Sequence, residues 1–353
     1  KEDISGVATY LHGYVVVREL LSKVNMKLML IHELAHLFGA ADLNERDSIM
    51  NSKNPGSEID EFTSRIVLLN KNRNFNPQLF PLPKSELNQA ISIYNQRKKL
   101  NRGEADVIIQ LAIFELEKKD YESTIRECLQ AIQIKPDSAE PYNLSGIAYR
   151  RKGEIDKALG QYHKALQLQP ELPEVHYNLG IAYTKKNMPD EAIKEYYKAI
   201  ELNPNYAEAY SNLGLVYIKK KMPDQAIEAC QKALEIYPEM ARALSALGAA
   251  NILKNKLEEA EALSRKALEI DPELEGPHNN LGSIYFHKKM VDQAIDEFLK
   301  ALKIEPEYGE ARYNLGLAYL FKGSLDQAIA EFEAAIRFIP NYYQAYSNLA
   351  VSY

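Results

Sequence analysis

The segment from Lys27 to Met50 holds residues whose types and spacing could bind a metal ion and activate water. It contains the pattern H-E-x-x-H-x-x-G-x-x-D, which begins at His32 and is followed by a methionine. His32 and His36 are four residues apart, so on a helix both imidazoles lie on one face and can reach one metal ion. Glu33 points about 100° round the helix and can take a proton from metal-bound water as a general base.

A glycine after this helix supplies the turn that a third metal ligand needs. The helix is expected over residues Leu21 to Phe38, and Gly39 follows it because glycine enters the left-handed conformation without steric cost. The turn lets the chain come back three residues later with Asp42 as a ligand. The alternative interpretation is a helix with two incidental histidines.

These residues resemble the metzincin zinc peptidases, in which the third ligand is usually histidine and in some branches aspartate. The segment Ser48-Ile49-Met50 resembles their Met-turn, a tight loop beneath the metal. The resemblance implies Zn²⁺ as cofactor and a zinc-dependent endopeptidase, in which metal-activated water attacks a peptide carbonyl. It implies zinc ligation by His32, His36 and Asp42, a catalytic base at Glu33 and a structural role for Met50.

Two departures limit the resemblance. The usual third histidine is replaced by Asp42, a harder oxygen ligand that weakens the case for zinc. Asn51 stands where some metzincins carry a tyrosine ligand. A metal-dependent hydrolase of another class, such as an amidase that uses the same ligands, is an alternative activity.

The residues around this segment predict a small α+β domain. The run from Gly6 to Arg18, GVATYLHGYVVVR, has the alternating and β-branched character of one or two strands. A second amphipathic helix is expected over Ile59 to Asn70, closing the domain. We therefore predict that residues 1–75 form the C-terminal part of a metzincin-like catalytic domain. The chain starts without methionine and stops in mid-pattern, so the sequence is expected to be a fragment.

A linker and a capping helix are predicted over residues 76–104. Three prolines and three asparagines within residues 71–84 are typical of a linker. Ser85 has the residue type of an N-cap for the helix that follows it.

From Ala105 to the end, the chain repeats with a period of 34 residues. Glycines and two series of alanines recur in the same register, and a proline closes each period. The prolines are Pro136, Pro170, Pro204, Pro238, Pro272, Pro306 and Pro340. This pattern is identified as the tetratricopeptide repeat (TPR), in seven copies plus the first half of an eighth. Residues 105–353 are therefore predicted to form an α-solenoid with a concave groove, and the fold class is mostly α with the partial α+β domain in front.

Two series of polar residues are predicted to face the groove of the solenoid. Asparagines recur before a Leu-Gly or Leu-Ala pair at Asn178, Asn212, Asn280, Asn314 and Asn348, with Ala246 interrupting the series. Each amide can pair with the backbone of an extended peptide, although solvated asparagines are the alternative. Lys185 and Lys219, preceded by Arg151, recur at one position and favour an acidic partner, with a solvated row of charges as the alternative.

The composition narrows the classes of partner. The net charge of −6 is spread along the chain, which argues against nucleic-acid binding, and no apolar segment is long enough to span a membrane. Cys128 and Cys230 are three periods apart, so a disulfide between them is implausible and both are expected in the core.

The sequence therefore predicts a zinc metallopeptidase whose repeats recruit a protein or peptide ligand into the TPR groove. The alternative is a non-enzymatic TPR scaffold that carries a remnant peptidase domain. The metzincin resemblance favours an extracytoplasmic or secreted location.

Overall fold

A computed structural model describes residues 10–11, 14–15, 84–100 and 105–353. The chain divides into two compact units, Lys1–Pro136 and Asp137–Tyr353.

The described part of the first unit contains a short hairpin and three helices. Strand β1 (Tyr10–Leu11) pairs antiparallel with β2 (Tyr14–Val15), and Tyr10 lies opposite Val15. The helices are α1 (Lys84–Leu100), α2 (Ala105–Glu117) and α3 (Tyr121–Ile134).

Helix α1 packs through an apolar stripe of its own. Leu87, Ala90, Ile91 and Tyr94 have the i, i+3, i+4, i+7 spacing of one helix face, and all four are buried. They pack against α2, where the Phe114 ring meets the Tyr94 ring edge-on at a centroid distance of 5.3 Å.

The second unit consists of six helix pairs and a last single helix. The pairs are α4 (Glu140–Arg151) with α5 (Ile155–Leu168), α6 (Pro173–Lys185) with α7 (Pro189–Leu202), α8 (Ala207–Lys219) with α9 (Pro223–Ile236), α10 (Ala241–Leu253) with α11 (Leu257–Ile270), α12 (Glu275–His287) with α13 (Val291–Ile304), and α14 (Gly309–Lys322) with α15 (Leu325–Phe338), and the last helix is α16 (Tyr343–Ser352).

Close approach between the helices of a pair explains the recurring glycines. A Cβ atom added to Gly180 on α6 would lie 2.5 Å from the Tyr196 ring on α7, and one added to Gly214 on α8 would lie 2.5 Å from Sγ of Cys230 on α9. In each pair the opposing residue comes sixteen positions after the glycine. The glycine therefore admits a side chain from the second helix into the space where its own side chain would be.

The cysteines are buried parts of the helix packing. The side chains of Cys128 on α3 and Cys230 on α9 have no exposed surface. Burial raises the pKa of Cys230 to about 12, so its thiolate is scarcely populated near neutral pH.

Successive pairs pack first helix against first helix. The first helices α8, α10 and α12 contact their neighbours of the same kind directly, in addition to the second helix that lies between them in sequence. The first helices of the second unit consequently form one continuous surface, called here the first-helix face.

The predicted fold class, mostly α with a partial α+β catalytic domain, is wrong. Within the described ranges the second unit is an α-solenoid of helix pairs, the first unit contains three further helices, and the four hairpin residues are the only extended segments. The α+β prediction relied on local alternation in a short segment, whereas the buried apolar surface lies between repeated helix pairs. None of the helices in the described ranges has both the length and the apolar run needed to cross a membrane.

Candidate functional site

The first-helix face carries a row of exposed side chains at the C-terminal ends of its helices. We call this the C-terminal row, and its members are spaced by 34 residues: Arg151, Lys185, Lys219, Leu253, His287 and Phe321. All six are exposed. The row is cationic over the first three helices and turns apolar at Leu253 (46% exposed) and Phe321 (64% exposed).

A second row lies at the N-terminal ends of the same helices. This N-terminal row is mainly acidic: Glu140, Glu174, Glu208, Arg242, Gly276 and Glu310. Eleven residues separate the two rows on each helix, which brings them to nearly the same angle and about 16 Å apart along the helix axis. The face therefore has a mostly acidic edge and an edge that changes from basic to apolar.

The lysines directly after the C-terminal row are engaged in ion pairs. Nζ of Lys186 lies 2.6 Å from Oδ1 of Asp156, thirty residues earlier, and Lys322 lies 2.6 Å from Asp292 in the same way. Lys220, Lys254 and Lys288 pair with acidic residues at the same separation. The same pairing recurs at five repeat junctions, and exposed ion pairs of this kind add little to stability.

Arg151, Lys185 and Lys219 differ from these neighbouring lysines. Among the described residues, no carboxylate oxygen lies within 4.0 Å of their cationic groups. Consecutive residues of a helix point in directions about 100° apart. The C-terminal row therefore lies on the first-helix face, whereas the lysines one residue later point towards the preceding second helix. Three adjacent repeats thus present cations that the described part of the chain does not neutralise by an ion pair.

The electrostatics at Lys185 agree with this arrangement. Although its side chain is exposed, enough protein surrounds the ammonium group for burial to lower the pKa of Lys185 below its usual value. The nearby guanidinium groups of Arg150 and Arg151 lower that pKa further, and Glu305 opposes them. An anion bound beside Lys185 would therefore relieve repulsion between cations.

The asparagine series lies on the first-helix face and links successive repeats. Each amide nitrogen donates a hydrogen bond to an acceptor 35 residues earlier. Asn178 donates to Oδ1 of Asn143 (3.0 Å), Asn212 to Oη of Tyr177 (3.1 Å), Asn280 to the Ser245 carbonyl (2.8 Å), Asn314 to Oδ1 of Asn279 (2.9 Å) and Asn348 to Oη of Tyr313 (3.0 Å).

The exposure of their side chains divides these asparagines into two groups. Asn178 and Asn280 are only 7% and 5% exposed, so their amides are chiefly structural. Asn212 and Asn314 are partly exposed and retain an amide oxygen as a possible acceptor for a ligand. A peptide-binding role for the series stays a prediction. Sequence reasoning missed the bonds between repeats, which the 35-residue offset between each asparagine and a polar partner could have indicated.

Sequence reasoning also missed the apolar half of the face. Phe286 and Phe321 meet edge-on at a centroid distance of 5.8 Å, and Leu215 is 45% exposed on α8. The signal was present in the sequence, because Leu253 and Phe321 occupy the repeat position that holds Lys185 and Lys219 earlier in the chain.

The predicted metal site lies outside the described residues. This applies to His32, Glu33, His36, Asp42 and Met50. Within the described ranges, no group of three or more His, Cys, Asp or Glu side chains could hold a metal ion. Zinc binding by His32, His36 and Asp42 stays a prediction, as do the boundaries of the three predicted domains.

Family comparisons settle what the helix pairs are. Models described as "TPR repeat" match residues 146–187 and 282–323, and models described as "Tetratricopeptide repeat" match 173–206, 207–240, 241–274 and 309–342. Together the matches cover more than half of the chain. The chain is a tetratricopeptide repeat protein. TPR arrays bind proteins or peptides, so the predicted class of partner is confirmed.

Solved structures show the same fold. A TPR protein from Parabacteroides merdae ATCC 43184 is 20% identical, with a TM-score of 0.57 over 70% of this chain and 98% of that one. The APC/C hetero-tetramer Cut9-Hcn1 gives a TM-score of 0.60 at 17% identity over 94% of this chain and 67% of that one. The pilF protein of Pseudomonas aeruginosa gives 0.50 at 20% identity, over 59% and 95%. At these identities the likeness concerns the fold alone.

The prediction of a zinc metallopeptidase is wrong. No peptidase family model matches this TPR protein, and the fold shown by the comparisons is typical of non-enzymatic scaffolds. The physical reason is the small information content of H-E-x-x-H, which any helix with suitably spaced histidines can contain.

Proposed function

We propose that this TPR protein is a protein-interaction scaffold that holds an extended segment of a partner along its first-helix face. The observation that carries the proposal is the exposed apolar and cationic side chains on one continuous face. Leu215, Leu253 and Phe321 expose apolar surface there, beside cations without ion pairs in the described ranges. Apolar surface of this kind, rimmed by polar groups, is typical of an interaction site.

Two leucines allow the surface to be tested with a matched control. Leu215 on the first helix α8 and Leu299 on the second helix α13 are both 45% exposed. Leu215 belongs to the first-helix face, whereas Leu299 lies on a second helix and so outside that face. The same change to arginine therefore adds the same bulk and charge once on the face and once outside it.

The experiment selects binders for the full chain from a displayed library of random peptides. Each selected peptide is then measured against Leu215→Arg and Leu299→Arg, with circular dichroism to check folding. We expect Leu215→Arg to weaken binding at least tenfold and Leu299→Arg to leave it within about twofold, because the buried centre of an interface contributes most of its free energy. Peptides that ignore Leu215→Arg, or that are lost only with Leu299→Arg, would place binding elsewhere and contradict the proposal.

A further inference from the structure

The C-terminal row has a chemical order that specifies the segment it can hold. We infer that the first-helix face binds an extended protein segment in which acidic residues face Arg151, Lys185 and Lys219, and apolar residues face Leu253 and Phe321. The inference rests on the proposed function and adds the chemistry of the bound segment.

The three cations of the C-terminal row, Arg151, Lys185 and Lys219, are better explained by ligand binding than by a structural role. A cation at a helix C-terminus interacts favourably with the helix dipole, which could explain Lys185 and Lys219 without any ligand. The same position holds Leu253 on α10 and Phe321 on α14, and those helices are of matching length to α6 and α8 or one residue longer. The dipole therefore does not require a cation there.

The pairing of neighbouring lysines strengthens the contrast. Lys186 and Lys220 come directly after Lys185 and Lys219, and both are matched by an aspartate thirty residues earlier. The fold thus supplies carboxylates for one series of lysines and, within the described residues, none within 4.0 Å for the other. The charges of Arg150 and Arg151 moreover lower the pKa of Lys185, against the opposing charge of Glu305. An acidic segment is the partner that supplies the missing charge.

The apolar half fits side chains that contribute by burial. Phe321 is 64% exposed with its ring edge-on to Phe286, and Leu253 is 46% exposed on the next first helix but one towards the N-terminus. His287 lies between them in the row. Aromatic or aliphatic side chains of a ligand would remove this surface from water, which favours binding.

The repeat spacing sets the spacing of the ligand. Packed helices are about 8–10 Å apart, and an extended chain advances about 3.3–3.6 Å per residue. One repeat therefore corresponds to about three residues of peptide. A segment with acidic residues at i, i+3 and i+6 and apolar residues at i+9 and i+15 follows the order of the row.

The test uses the full chain and synthetic 18-residue peptides of this pattern. One peptide has the acidic and apolar residues as stated, a second has the order reversed, a third carries lysine in place of each acidic residue, and a fourth carries serine in place of each apolar residue. Affinities are measured at about 0.05 and 0.3 M salt, where charge interactions are weakly and strongly screened. We expect either the first or the reversed peptide to bind at least tenfold tighter than both the third and the fourth. The affinity of that peptide should be lower at about 0.3 M salt than at about 0.05 M salt.

Variants locate the binding on the row. The triple change Arg151→Gln, Lys185→Gln and Lys219→Gln should weaken the acidic peptide at least tenfold and abolish its salt dependence. The matched control, Lys152→Gln with Lys186→Gln and Lys220→Gln, removes the three cations that directly follow those residues and should change affinity by less than twofold. Phe321→Ser should reduce the advantage of the first peptide over the fourth.

Several outcomes would overturn the inference. Equal affinity for the acidic and lysine peptides would do so, as would equal losses in the triple variant and its control while both remain folded. A single-stranded oligonucleotide that binds more tightly than the acidic peptide, with the same dependence on the triple variant, would make the face a polyanion site of another class. Library peptides that respond to Leu215→Arg but not to the triple variant would retain the scaffold function and reject only the charge order.

Discussion

The asparagines of the first-helix face show that a polar side chain can be used for hydrogen bonds between the repeats rather than for ligand binding. Asn280 donates from Nδ2 to the Ser245 carbonyl at 2.8 Å and is 5% exposed, so its amide joins two repeats inside the protein. Asn212 donates to Tyr177 but stays partly exposed. Residues of one type at one repeat position can therefore differ in their main role.

Asn280→Ala is expected to lower the free energy of unfolding by about 1–3 kcal/mol, because it leaves the buried Ser245 carbonyl without this donor. Chemical denaturation followed by circular dichroism measures the change. Asn341→Ala, at an exposed position, should stay within about 0.5 kcal/mol of the parent protein. Equal effects of the two changes would show that the bond to Ser245 contributes nothing.

At the scale of helices, the repeat is built on close contact between a glycine on the first helix and the side chain that comes sixteen residues later on the second helix. Gly180 on α6 allows Tyr196 on α7 to be 1% exposed, and burial raises the pKa of that tyrosine above its usual value. The Tyr196 hydroxyl lies 3.4 Å from the Thr184 hydroxyl, so the polar end of the ring retains a partner. The steric fit between Gly180 and Tyr196 therefore helps to determine how the two helices of the pair pack.

Two glycines separate this packing effect from helix propensity. Gly180→Ala should destabilise the protein by about 1–3 kcal/mol, because its Cβ would lie 2.5 Å from the Tyr196 ring. Gly160→Ala on α5 has no atom within 4 Å of the new Cβ, and it should stabilise the protein by up to ~1 kcal/mol. Thermal and denaturant unfolding of both variants give the two values. If both changes stabilised the protein, the two helices would be able to move apart around the new Cβ of Gly180→Ala without loss of stability, which would contradict the prediction.

At the scale of the whole array, each repeat of the second unit contacts its neighbours in sequence. The main contacts join the helices of one pair, a second helix and the next first helix, and successive first helices. Such an array behaves as a chain of coupled units, in which stability is the sum of repeat and junction contributions.

Hydrogen exchange should reveal this locality. In Gly180→Ala, amides of α6, α7 and the adjacent helices should exchange faster, whereas amides of α14 and α15 should keep the parent rates. Mass spectrometry of peptides from the full chain measures both regions in one experiment. A uniform acceleration along Asp137–Tyr353 would show that the unit unfolds as a single cooperative body.

The 34-residue register determined the helix pairs by itself. Glycine, alanine and proline recur at fixed positions, and steric fit restricts what each can do: Ala199 and Ala233, for example, are fully buried, as small residues between packed helices must be. Local sequence and local packing agree at these positions, so the repeat could be predicted. The H-E-x-x-H motif lacked that redundancy, and the enzyme predicted from it was wrong.

Only the tertiary structure decided which polar residues of the array are engaged. Lys185 and Lys186 are adjacent in sequence and identical in type, yet Lys186 reaches Asp156 while Lys185 has no carboxylate oxygen within 4.0 Å among the described residues. The difference depends on the rotation of about 100° between them and on where the preceding repeat places its carboxylates. A charge interacts with whatever lies near it in space, and distances between repeats are fixed only when the helices pack.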